Sequence, residues 1–131
     1  MQTYTVTASD EAGVVLAGLA EILNAARGGG ATPDPGTDTI AVPVRGQGAT
    51  LGAVFAELAR DLLAQYDAQG SGLDRFRLDG LLRSEDGYAG WGYLEGTATG
   101  DGAPARIDLS GEPKIDRTDG GIELTFDVVS T

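Results

Sequence analysis

The chain has 131 residues, with 20 acidic against 9 basic side chains for a formal net charge of −11, and it contains neither histidine nor cysteine. One domain of ordinary size fits that length, and hydrophobic residues making up 41% of the chain provide for a core. The missing His and Cys exclude Ser-His-Asp and Cys-His nucleophiles, imidazole or thiolate zinc sites and any disulfide framework, so a divalent metal would have to be held by oxygen, as calcium and magnesium are.

Residues 2–8 alternate, with Tyr4 and Val6 on one face and Thr3, Thr5 and Thr7 on the other, which predicts a strand. Ser9 and Asp10 are good N-cap types, and Val15, Leu19, Ile22, Leu23 and Ala26 then fall on one face of a helix over 10–26. Gly28-Gly29-Gly30 stops it, and residues 31–38, with two prolines and a glycine, form a loop that can be mobile. A second strand covers Thr39 to Val44. Gly46-Gln47-Gly48 leads into a longer helix over 50–66, whose stripe is Leu51, Val54, Phe55, Leu58, Leu62 and Tyr66. The two strand-helix units match at an offset of 36 positions (Thr3 with Thr39, Val6 with Val42, Ala17 with Ala53, Glu21 with Glu57), either as an internal duplication or as a chance match between two Ala-rich amphipathic segments.

From Leu73 the period changes to two. Phe76, Leu78 and Leu82 alternate with polar residues, Glu85-Asp86-Gly87 signals a hairpin into a strand over 88–98, and Gly100-Asp101-Gly102 turns again. Ala105, Ile107 and Leu109 continue the alternation, Pro113 interrupts it, and Thr118-Asp119-Gly120-Gly121 precedes a last strand with Ile122, Leu124, Phe126 and Val128 facing inward. The expected fold class is α+β: a single domain over 1–131, a two-layer sandwich with two helices packed on one face of a mixed, mostly antiparallel sheet. Phe55, Leu58, Leu62, Phe76, Leu124 and Phe126 are its predicted core.

The charge bears on partners. An acidic surface repels phosphate backbones and anionic lipid, and the eight Arg and single Lys114 form no basic patch, so no direct binding of nucleic acid is expected. No apolar run approaches a membrane span and the start lacks the features of a signal peptide, which together predict a cytoplasmic protein. Gly46-Gln47-Gly48 could present backbone N–H groups to an anion, although a tight turn into the helix explains it as well. Trp91 and Tyr93 share a strand face and read as a binding platform or, more simply, as core or interface packing; Arg75 and Arg77 read as an anion clamp or as surface cations neutralised across the sheet. Among the carboxylates, Asp10 and Asp127 stand at or near strand ends, where side chains can converge on one ion; Asp10 alone reads as an N-cap and Asp127 alone as an exposed strand residue.

Residues 51–78, LGAVFAELARDLLAQYDAQGSGLDRFRL, resemble the archease family in the order and spacing of Leu62-Leu63, Tyr66-Asp67, Gly70 and Arg75-Phe76, and the tail EPKIDRTDGGIELTFDV resembles the family's final hairpin, whose Asp falls on Asp127. The family's N-terminal His-Thr-Ala-Asp has as its counterpart Thr7-Ala8-Ser9-Asp10, without the His and with one residue inserted, and Leu109-Ser110-Gly111 stands where the family has Thr-Tyr-His. The resemblance implies a non-catalytic accessory protein that assists a tRNA-splicing RNA ligase and binds a divalent cation, with calcium a candidate and Asp10 and Asp127 as its ligands. The alternative is a divergent interaction module or homo-oligomer on the same scaffold without the metal.

Overall fold

In a computed structural model of the chain, described for residues 1–27, 39–69, 73–97 and 107–130, nine elements follow one another. They are β1 (Gln2–Ala8), α1 (Glu11–Arg27), β2 (Thr39–Gly48), α2 (Leu51–Gln69), β3 (Leu73–Ser84), β4 (Gly87–Thr97), β5 (Ile107–Leu109), β6 (Lys114–Thr118) and β7 (Gly121–Ser130). The class is α+β, and every described strand pairing is antiparallel. The strands are shared between two sheets, one of four strands in which β7 pairs with β1 on one side and with β5 and β6 on the other, and one of three in the order β2-β4-β3. The predicted Gly28-Gly29-Gly30 stop, the loop over 31–38 and the turn at Gly100-Asp101-Gly102 lie outside the described residues.

Both helices are set by their caps. The Gly13 amide donates to Asp10 Oδ1 at 2.6 Å and the Val14 amide to the Asp10 carbonyl, while the Ala53 amide donates to Thr50 Oγ1 at 3.1 Å and the Val54 amide to the Thr50 carbonyl. A polar side chain thus takes up one of the unpaired first-turn donors at each helix start. The caps also correct the internal repeat: the equivalent positions are 40 apart, Asp10 with Thr50, not 36. In that register the buried faces coincide, Val14 with Val54, Val15 with Phe55, Leu19 with Ala59, Ile22 with Leu62 and Ala26 with Tyr66. An offset wrong by four residues is close to one helical turn, so the same stripe matches itself almost as well one turn out of place.

The repeat extends to the strands. Ala8 is paired with Ile122 and Gly48 with Tyr88, and each hairpin that supplies the partner strand turns at a glycine of positive φ, Gly121 and Gly87. A Cβ on Gly121 would meet the Ala8 carbonyl oxygen at 2.2 Å, and one on Gly87 the Gly48 carbonyl oxygen at 2.3 Å. Each unit is therefore β-α-β-β with its first strand beside its last, and the second unit (β2, α2, β3, β4) is inserted between α1 and the closing strands of the first. The helices tie the units together: α1 packs on β1 and β7 and also on β3, and α2 on β2 and β4 and also on β5 and β6.

The core lies between helices and sheets. Phe55, Leu58, Leu62, Phe76, Leu124 and Phe126 are all buried, as their spacing predicts, and Phe55 and Tyr4 both pack on the Phe126 ring at centroid distances of 5.2 and 5.5 Å. β2 runs four residues beyond its predicted end, so Gly46-Gln47-Gly48 is strand, paired with Gly90, Ala89 and Tyr88, and not a turn into the helix. Glycine is needed there for room, because a Cβ on Gly46 would lie 2.7 Å from the Leu58 amide nitrogen and one on Gly48 2.5 Å from Ala53 Cβ. The described residues contain no helix long and apolar enough to cross a membrane.

Candidate functional site

The N-terminus of α1 opens into a cleft of about 550 Å³ walled by Asp10, Glu11, Leu81, Arg83, Arg117 and Ile122. Its centre is the Glu11 carboxylate, half-buried in the first turn of α1. Arg117 Nη2 from β6 donates to Glu11 Oε1 at 2.7 Å, Arg83 Nη1 from the end of β3 stands 4.0 Å from the same oxygen, and the Tyr88 hydroxyl donates to it at 3.5 Å. The hydrogen bond and the charge of Glu11 hold the Arg117 guanidinium above its ordinary pKa, against a small opposing effect of desolvation. Arg83 and Arg117 occupy equivalent positions of the two repeats, four residues ahead of the turn glycines Gly87 and Gly121, so one carboxylate collects a cation from each unit. The recurring Arg-x-x-x-Gly at both hairpins is the sequence signal for this cluster, hidden because the two copies lie 34 residues apart and outside the strand-helix units that resemble each other. The equivalent cleft at the start of α2, about 380 Å³, holds Thr50, whose hydroxyl donates to Glu112 Oε1 at 2.9 Å, and Leu51 in the place of Glu11.

Asp10 lies at this cleft, with its carboxylate occupied as the α1 cap and with Ser9 Oγ donating to its other oxygen at 3.4 Å. Asp127 does not. It faces Thr3 across the β1–β7 ladder and accepts a hydrogen bond from Thr3 Oγ1, whereas β1 reaches its Asp10 end opposite Ile122. Five residues of extended strand, about 17 Å, separate Ile122 from Asp127. Oxygens sharing one calcium ion at 2.3–2.6 Å each must approach to about 5 Å of one another. Asp10 and Asp127 therefore do not fit a shared cation, and among the described residues no group of three or more Asp or Glu is placed to hold one.

The outer face of the three-stranded sheet carries the other residues singled out from the sequence. Trp91 and Tyr93 do share a strand face, but it is the face away from the helices: Trp91 is 40% exposed and lies across Gly80, where a Cβ would meet its ring at 2.3 Å. Leu82, 58% exposed, continues the apolar surface on β3. Arg77 stacks over Tyr93 at 5.0 Å and pairs with Glu95 at 3.2 Å, which is the neutralisation across the sheet that the sequence allowed. A depression of about 610 Å³ lies beside Trp91, lined by Arg45, Gln47, Glu57 and Ala89. No family model, curated protein or solved structure matches the chain.

Proposed function

We propose that the chain is a non-catalytic accessory protein on an archease-like scaffold, working in the cytoplasm by docking on a protein partner, which by the resemblance is an RNA-splicing ligase. The observation that carries this reading is the outer face of the three-stranded sheet, where Trp91 and Leu82 are exposed, with Arg45 opposite Trp91 on β2 and Arg77 beside the neighbouring Tyr93 on β3. Exposed aromatic and apolar side chains next to arginine are the composition of interface centres rather than of ordinary protein surface. The separation of Asp10 from Asp127 supports docking without a cation bridging those two residues, and the charge of −11 favours a protein over a nucleic acid as the occupant.

The test is to titrate the purified chain into the RNA-splicing ligase of its source organism by calorimetry, in EDTA and in millimolar calcium. Complex formation is expected in both buffers, with Asp127→Ala binding like the wild type and Trp91→Ala weakened at least about tenfold, the loss typical of a central aromatic anchor. Failure to bind in either buffer removes the ligase as partner. Binding that needs calcium and is lost in Asp127→Ala but not in Trp91→Ala overturns the docking face.

A further inference from the structure

Among the described residues, each edge of the two sheets, with one exception, carries a feature that hinders further pairing. On β2, Pro43 has no N–H to offer, and the outward amide of Arg45 is taken by Asp61 Oδ2 of α2 at 2.8 Å. On β3 the ladder is broken at Leu73/Arg75 and at Leu78/Gly80, and Arg75, Arg77 and Arg83 line the strand. β5 is three residues long and β6 five, the latter with Lys114, Asp116 and Arg117. Proline, irregular register, charge and shortness are the devices by which edge strands avoid pairing with other chains.

The exception is β1. Its sequence, QTYTVTA, has no charge, proline or glycine, and it pairs with β7 in unbroken register from Gln2 to Ala8. The direction of its unpaired backbone groups follows from one hydrogen bond. The Ser110 amide donates to the Asp127 carbonyl at 2.9 Å, so that carbonyl points away from β1. In an antiparallel ladder a residue's N–H and C=O point to the same side. Thr3, opposite Asp127, therefore turns its own N–H and C=O to the open edge, and Thr5 and Thr7 follow by the alternation. The repeat gives the same answer, since Arg45 is the equivalent of Thr5 and its amide also points outward. Among the described residues the Thr5 amide has no counterpart of the Asp61 bond, although Glu21 stands at the position equivalent to Asp61.

We infer that β1 pairs with β1 of a second copy of this chain, antiparallel and across a two-fold axis at Thr5. The strand is complementary to itself about that residue. Thr5 meets Thr5, Thr3 meets Thr7 and Thr7 meets Thr3, three pairs exchanging about six backbone hydrogen bonds. On the inner face Tyr4 meets Val6, an aromatic beside a β-branched residue, which is a favourable cross-strand pair. Tyr4, Val6 and Ala8 are only half-buried while their partners Phe126, Leu124 and Ile122 are buried, so the core is left uncovered along this edge and the second copy covers it. β1 itself carries no charge, so no like charges stand opposite each other between the two strands. The contact is isologous and closes at two copies, joining two four-stranded sheets into one.

The experiment is sedimentation equilibrium of the full chain from micromolar to submillimolar concentration, for wild type, Thr5→Pro and Thr5→Lys. No described residue accepts from the Thr5 amide, so proline removes an intermolecular donor, and lysine puts like charges opposite each other at the axis. Wild type is expected at twice the monomer mass and both variants at the monomer mass, with wild-type far-ultraviolet circular dichroism. Since the chain has no cysteine, Thr5→Cys supplies a unique thiol that copper-phenanthroline oxidation should cross-link, the Cα atoms of such a pair lying about 5.5 Å apart. A monomeric wild type overturns the inference, as does a dimer that persists in both variants and yields no cross-link.

Discussion

Leu58→Ala is expected to lower the free energy of unfolding by about 2–5 kcal/mol. Leu58 is fully buried on α2, and its Cδ1 occupies the space beside Gly90 of β4, where a Cβ would lie 2.9 Å away. The strand beneath it is glycine, and the side chain nearest that spot, Leu81 Cδ1 at 3.4 Å from the same Cβ position, is held on β3, so a truncation leaves a cavity that its surroundings fill only in part. Urea denaturation at fixed protein concentration measures the effect, as a lower midpoint with an unchanged slope. A loss below about 1 kcal/mol would mean that this face of α2 is not held against β4.

Gly46→Ala should be nearly as damaging for the opposite reason. The added methyl would lie 2.7 Å from the Leu58 amide nitrogen and 2.9 Å from the Val54 carbonyl oxygen, backbone atoms that cannot turn aside. Either α2 lifts from β2 or the strand shifts, at a cost of about 1–3 kcal/mol or more for such overpacking. Gly120→Ala is the control, since a Cβ there meets nothing within 4 Å. Equal thermal stability of the two variants would overturn the close approach of α2 to β2.

Much of the architecture was readable because it is written in period. The helical stripe through Val54, Phe55, Leu58 and Leu62 and the alternation Ile122, Leu124, Phe126, Val128 each identify an element and its buried face, whatever the tertiary arrangement. Three features were not readable, for different physical reasons. The division of the strands between two sheets depends on which edges pair, and alternation reports only which face is buried. The end of β2 was hidden because Gly46 and Gly48 mimic a turn, whereas their glycines answer to the crowding of α2. The outward face of Trp91 was hidden because an aromatic among alternating residues fits either side of a strand.

The candidate site divides in the same way. Asp10 was legible as a cap because capping is local, three residues from donor to acceptor. Whether Asp10 and Asp127 meet depends on strand direction and register, which place them toward opposite ends of the four-stranded sheet. The cluster of Arg83, Tyr88 and Arg117 around Glu11 draws on four elements of both repeats, and only their pseudo-symmetric placement brings its cations to one carboxylate.

The insertion of one repeat within the other bears on the order in which the chain assembles. Residues 39–97 contain all three strands and the helix of the inner unit, joined by short connections, whereas Thr3 and Asp127 are 124 positions apart. Closing so long a loop from the unfolded chain costs entropy before any contact rewards it. Once the inner unit has formed, it draws Thr39 beside Thr97 and so brings the two flanks of the outer unit close together. The inner unit is thus the natural nucleus and β1 the last strand to dock. In stopped-flow kinetics Leu58→Ala should then slow refolding, and Val6→Ala should mainly speed unfolding. On a ribosome β1 waits for a partner strand synthesised 124 residues later, and through that interval its uncharged edges are held apart from other chains only by dilution and chaperones.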